Sequence, residues 1–129
     1  GLDRDHQRLM LNPMSLLALL LSIGLSLMGA LPASALSSPD PEHGAQLFSA
    51  NCAACHMGGG NVISASRTLS QTDLQAHLES YGMDPLEAIE HQIENGKNAM
   101  PAYEGKLSDK DIEDVAAYVE IQAEQGWSR

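Results

Sequence analysis

The residues with the clearest capacity for chemistry are Cys52, Cys55 and His56, in the run Cys52-Ala53-Ala54-Cys55-His56, which holds both cysteines of the chain. A Cys-x-x-Cys-His run is the attachment pattern of a c-type haem. The spacing has a mechanical basis. On a helix, positions i and i+3 project from one face, so two cysteine sulfurs can form thioether bonds along one edge of a porphyrin. His56, at i+4 from Cys52, shares that face and can offer an imidazole nitrogen to the iron. Zinc is a poorer reading, because tetrahedral sites usually need a second ligand pair and the chain has no other cysteine. A thioredoxin-like redox pair lacks the βαβ pattern that normally surrounds such motifs.

With His56 on one side of a haem, the opposite ligand decides the chemistry. Met57 adjoins His56 and cannot reach the other face. Met83 falls between two helical segments, where contact with the core is the commoner use of methionine. Met100 has the better context. Pro101 biases it towards extended backbone, so Asn98-Ala99-Met100-Pro101 reads as a loop able to turn a sulfur inward. Met100 is the expected sixth ligand; the alternative is a core methionine and an open iron site. His43, His77 and His91 lie on polar helical stretches and are expected at the surface. Filled on both sides, the iron has no vacancy for oxygen or peroxide and exchanges one electron at a time, with no catalytic acid or base. The rival is a small haem peroxidase or ligand-sensing protein with an open sixth position.

Four helical segments can position these groups. The first runs from about Pro41 to Cys55, with Pro41 suited to an initial turn, and Gly58-Gly59-Gly60 ends it while letting backbone pass close to a flat cofactor. The second, Ser70 to Tyr81, opens on Ser70-x-x-Asp73 and places Leu74 and Leu78 at i and i+4. The third is capped by Asp84, with Pro85 at N1, Glu87 completing the capping pattern and Gly96 as the stop; Leu86, Ile89 and Ile93 form its apolar stripe. Ser108-x-x-Asp111 opens the fourth, where Ile112, Val115, Ala116, Val119 and Ala123 recur at helical spacing. It is expected to pack on the first, where Gly44 permits close approach and Phe48 lies near Tyr118. No strand-like alternation or internal repeat is present, so the expectation is an all-α domain wrapped round a prosthetic group.

The chain has 129 residues, enough for one domain. Arg4 and Arg8 precede an apolar run, Leu16 to Leu27, followed by Pro32 and Ala33-Ser34-Ala35, the small-x-small pattern of a signal-peptidase site. Residues 1–35 are therefore expected to be a cleaved signal peptide and 36–129 the folded domain, with no retained membrane anchor. The formal charge is −10 at pH 7. From residue 36 on only Arg67, Lys97, Lys106, Lys110 and Arg129 are basic, which disfavours nucleic acid. It favours partners with positive surface and encounter sensitive to salt.

Several blocks beyond the haem motif carry a more specific resemblance. They are Gly44-Ala45-Gln46-Leu47-Phe48, Asn51 through Gly59, Asn61, Gln92-Ile93-Glu94-Asn95-Gly96-Lys97, Ala99-Met100-Pro101-Ala102, and Asp111 through Val119. From about Gly44 to Trp127 the chain resembles cytochrome c6, the soluble class I cytochrome of cyanobacteria and algae. The resemblance implies a small class I cytochrome c fold, about four helices round one covalently bound haem c. It implies a carrier in the thylakoid lumen (or the periplasm) that takes electrons from the cytochrome b6f complex and delivers them to photosystem I or a terminal oxidase. By the same match Cys52 and Cys55 hold the haem, and His56 and Met100 ligate iron. Gln92 occupies the place of a family glutamine near the haem that raises potential. Two positions depart from the family pattern. Lys106 stands where many members have an arginine used in docking to photosystem I, and Tyr103 where Trp or Phe is common.

Overall fold

The computed structural model describes residues 37–128. The expected signal peptide lies outside the described residues. Asp40 starts the first helix, α1 (Pro41–Asn51): its Oδ1 accepts the Glu42 and His43 N–H groups at 3.1 and 3.2 Å. These are two of the amides a helix N-terminus leaves without partners. The helix was expected to continue to Cys55, but it breaks at Cys52, and a short helix α2 (Ala53–His56) and a 3-10 turn (Met57–Gly59) follow. The break has a hydrogen-bonding cause. In a continuous helix the Cys55 N–H would donate to Asn51; here it donates to the Cys52 carbonyl at 3.2 Å. The Asn51 carbonyl instead accepts the Tyr103 hydroxyl at 2.8 Å.

Ser70 caps α3 (Gln71–His77), accepting the Asp73 N–H at 3.2 Å. This helix stops short of the expected Tyr81. Leu78 turns to extended backbone and Ser80 takes φ +64°, which swings the Tyr81 ring into the core. There its hydroxyl donates to Glu120 at 2.7 Å, and burial followed by that carboxylate pushes the phenol up to about 12. The third expected helix has the bounds its caps dictate: α4 (Pro85–Asn95) begins at Asp84 and ends at Gly96. Its inward face is Ala88, Ile89 and Ile93, while Leu86 is 38% exposed, so the stripe is displaced from the one expected. The last helix, α5 (Asp109–Gln125), carries a complete capping box between Ser108 and Asp111. Among the described residues there are no strands, only two isolated bridges, Lys97 with Met100 and Glu104 with Leu107.

The α1–α5 crossing organises the domain. A Cβ at Gly44 would fall against the Asp114 carbonyl, so only glycine lets the two backbones meet. Phe48 lies 5.3 Å from Tyr118 and 5.4 Å from Trp127 between ring centroids, and Tyr118 meets Trp127 edge-on at 5.8 Å. Such contacts add about 0.5–1.5 kcal/mol each beyond area burial. Trp127 in turn donates from Nε1 to the Leu69 carbonyl at 2.8 Å and covers Gly59, where a Cβ would strike the indole. Of the three glycines after the haem motif, Gly59 is thus required by Trp127, and it and Gly58 both adopt positive φ. Ile112, Val115, Ala116 and Val119 fill the space beneath α4, so α5 is the shared wall of the core.

Candidate functional site

A cleft of about 510 Å³ opens between α2, α3 and the loop after α4, within the range of small-molecule and cofactor pockets. Its lining brings together Cys52, Cys55, His56, Gln92 and Met100, all singled out from the sequence. Beneath it lies an apolar space of about 90 Å³, bounded by Phe48, Leu74, Ile89, Ile93, Val115 and Val119 and sharing Cys52, His56, Gln92 and Met100 with the cleft. Its lining is almost wholly apolar, which favours an apolar group that fills it.

Each chemical side chain is held by a local device. His56 stands at the end of α2, where the chain turns through Gly58 and Gly59 and returns a carbonyl to it: Nδ1–H donates to Gly60 O at 2.9 Å. With Nδ1 committed as donor, Nε2 carries the lone pair, the arrangement that orients a ligating imidazole and raises its basicity. Met100 closes a tight turn in which Lys97 N–H donates to Met100 O at 3.0 Å and Met100 N–H returns to Lys97 O at 2.9 Å. Asn98 supplies the positive φ, +53°, that such a turn uses. Gly96 is required behind it, since a Cβ there would meet the Met100 carbonyl. Gln92, on α4, donates from Nε2 to the Met100 sulfur at 3.8 Å.

The cysteines are not paired with one another. Burial pushes the Cys52 thiol up to about 11, opposite to the lowered value of an attacking thiol in a dithiol oxidoreductase. Zinc fares no better: among the described residues no group of three or more His, Cys, Asp or Glu side chains is placed to hold a metal ion. The donor set present, a thiol at each of Cys52 and Cys55, an imidazole and a thioether over an apolar cleft, fits a c-type haem.

The other candidates fall elsewhere. His43 is occupied with Asp114, its Nδ1–H donating at 2.8 Å, and His91 is exposed. His77 is exposed at the rim of the cleft. Met57 is exposed, and Met83, expected to touch the core, is 90% exposed because the turn at Ser80 that buries Tyr81 carries it outward. Lys106 is exposed with its ammonium 5.8 Å over the Tyr103 ring. Sequence reasoning missed the loop from Asn61 to Thr68, which forms one rim. Asn61 Oδ1 accepts the Ile63 and Ser64 amides at 3.0 and 2.9 Å, and its Nδ2 donates to Arg67 O at 3.0 Å. The available signal is Asn61 itself, directly after Gly58-Gly59-Gly60, since an asparagine side chain accepts from amides two and three residues on.

The family described as "Cytochrome C oxidase, cbb3-type, subunit III" matches residues 39–119. Cytochrome c6 of Limnospira maxima is 59% identical over 88 residues, 68% of this chain and 99% of that protein. The chain belongs to the cytochrome c6 family. Cytochrome c6 of Thermosynechococcus vestitus is 50% identical over 107 residues, 83% of this chain and 91% of its own length. Among solved structures, cytochrome c6 from the diatom Phaeodactylum tricornutum matches with a TM-score of 0.64 at 50% identity, covering 68% of this chain and 99% of that one. As a cytochrome c6 the chain is a c-type electron carrier with one covalently bound haem c, the cofactor that the Cys52–Cys55 spacing fits. The all-α class I architecture expected from the sequence agrees with these neighbours.

Proposed function

We propose that this cytochrome c6 carries single electrons from the cytochrome b6f complex to photosystem I, with a terminal oxidase as a second acceptor, and is not an enzyme. In this reading residues 1–35 are an export signal removed after Ala35, and the domain from residue 36 works in the thylakoid lumen or periplasm. Among the described residues no helix is long and apolar enough to cross a membrane. Cys52 and Cys55 would hold the haem through thioether bonds, and His56 and Met100 would supply the nitrogen and sulfur ligands to its iron. The observation that carries the reading is that His56 and Met100, from separate elements, line one cleft, each with a hydrogen bond on the atom that orients it.

Bound haem c supplies a reversible one-electron couple, whose potential is raised by methionine ligation. The chain's own residues do the rest. The Gln92 N–H draws density from the Met100 sulfur, which favours the reduced state. Leu69, Leu74 and Leu78 keep water from the inner part of the cleft. Met57, Val62 and Ile63 are exposed apolar side chains close to Cys55, so a partner would meet an apolar rim beside the residue that would hold the haem. Lys106, over the Tyr103 ring that lines the cleft, offers a cation for docking, without the planar fork of arginine. The −10 charge orients the molecule on positive partners.

Flash-induced reduction of photosystem I tests this. Rates should fall as salt screens the encounter. Lys106→Ala should slow transfer about two- to fivefold, as loss of one exposed charge pair does, and leave the midpoint potential within a few millivolts. A shifted potential with unchanged transfer would refute the docking role, and no reaction with photosystem I would refute the proposed acceptor.

A further inference from the structure

Tyr103 fastens the Met100 loop twice. Its backbone N–H donates to Ile93 O at 3.0 Å, and Glu104 N–H follows to Glu94 O at 3.2 Å, so the loop returns along the end of α4. Its hydroxyl donates in another direction, to the Asn51 carbonyl at 2.8 Å, a contact between residues 52 apart in the chain. Asn51 is the last residue of α1, and its carbonyl is one that the helix end leaves without a partner. The phenol therefore ties the residue before Cys52 to the loop that presents Met100. Both ends of the bond line the same cleft.

The Lys97–Met100 bonds close the loop on itself, and Met100 packs on the edge of the core, but few other bonds tie the loop across the cleft. The Gln92 contact, at 3.8 Å to sulfur, belongs to the weaker hydrogen bonds. Lys97 to Ala99, Pro101 and Ala102 have exposed side chains, and the backbone from Met100 to Ala102 rests on Gly96, which has no side chain to grip it. To move Met100 out of the cleft, the loop must pivot at Tyr103, and the hydroxyl bond opposes that pivot. A phenylalanine would fill the same space and could not make the bond.

We propose that Tyr103 is a positioning residue for the sixth ligand: its hydroxyl, bonded to the Asn51 carbonyl, latches the Met100 loop across the cleft and hinders external ligands from displacing the sulfur. The proposal rests on the reading of Met100 as an axial ligand. The latch adds no donor to the iron, and its effect lies in how often the loop opens.

The test compares the oxidised wild-type holoprotein with Tyr103→Phe. Both should show the methionine-to-iron charge-transfer band. On titration with imidazole the band should vanish at a concentration about three- to tenfold lower in the variant, the range a net intramolecular hydrogen bond supports. Amide exchange at Tyr103 and Glu104 should quicken by a similar factor, while Val115 and Val119 in α5 keep their protection. Equal imidazole midpoints overturn the proposal. Faster exchange at every amide, Val115 and Val119 included, also overturns it, because that is general loss of stability. A wild-type protein without the band refutes Met100 ligation instead, and the Tyr103 and Glu104 exchange rates then decide whether the hydroxyl fastens the loop.

Discussion

Where α1 crosses α5, protein closes every surface. Gly44 lets the backbones touch, Phe48, Tyr118 and Trp127 form a mutual aromatic cluster, and Asp114, buried to 2% exposure, gathers three partners. The Asp40 N–H donates to it at 2.7 Å, Lys110 Nζ at 2.8 Å and His43 Nδ1 at 2.8 Å, and Lys110 also reaches the Ser38 carbonyl at 2.8 Å. On the cleft side the same α5 residues, Val115 and Val119, look into apolar space that α3 and the loops only partly cover. α3 has seven residues, too few to be stable alone. The comparison separates a half completed by side chains from a half completed by a prosthetic group.

The largest test removes that group. Cys52→Ala with Cys55→Ala should yield a chain without covalent haem, in which α3 and the 96–107 loop lose amide protection first and any residual protection lies in α1 and α5. Equal loss on both sides would break the comparison. Next, Gly44→Ala attacks the self-sufficient half: the added methyl meets the Asp114 carbonyl, and chemical denaturation should show a loss of about 1–3 kcal/mol, as for other overpacked sites. Unchanged stability would mean the crossing tolerates separation.

Asp114 gives that half a pH signature. Burial opposes its ionisation, yet the Asp40 N–H, the Lys110 ammonium and the His43 imidazole prevail and lower the carboxyl to about 2. Its folded value lies below the ordinary 3.8, so its contribution is complete above about pH 4 and is lost as pH falls towards 2. His43 shifts the other way, raised from 6.5 first by its hydrogen bond to Asp114. Its contribution is complete below 6.5 and disappears as pH rises through the raised value. Thermal unfolding should therefore be highest between about pH 4 and 6.5, and Asp114→Asn should flatten both flanks and cost about 1–2 kcal/mol inside that window. An unaltered profile would deny the cluster its role.

The smallest effect is sought on the cleft side. Gln92→Ala should lower the midpoint potential by about 20–40 mV, the one-electron equivalent of losing a weak hydrogen bond of about 0.5–1 kcal/mol. Thermal stability should barely change. A raised potential would mean the Gln92 N–H does not act on the sulfur.

Legibility in the sequence followed the range of the interactions. Asp84-Pro85 and Gly96 bound α4 because caps are local, and Ser108 with Asp111 announces α5 for the same reason. Gly44 and the Phe48–Tyr118 contact could be foreseen because helical periodicity on both segments sets which faces meet. The break at Cys52 could not, since the group that takes the Asn51 carbonyl is a hydroxyl at Tyr103. The early end of α3 has the same character: Tyr81 leaves helical register to reach Glu120, and Met83 is turned out as a result. At the site, Cys52, Cys55 and His56 announce themselves by spacing and Met100 by the proline after it. The Asp114 cluster and the Asn61 turn escaped notice: the partners of Asp114 lie up to 74 residues away, and an asparagine after a glycine run is only a weak turn signal.

Carbon monoxide titration of the reduced native holoprotein tests most directly whether the iron is held from both faces. The account predicts that the spectrum stays unchanged at concentrations that saturate haem proteins with an open position. Prompt stoichiometric binding would contradict it, and would make this chain a ligand-binding haem protein whose Met100 is a core side chain.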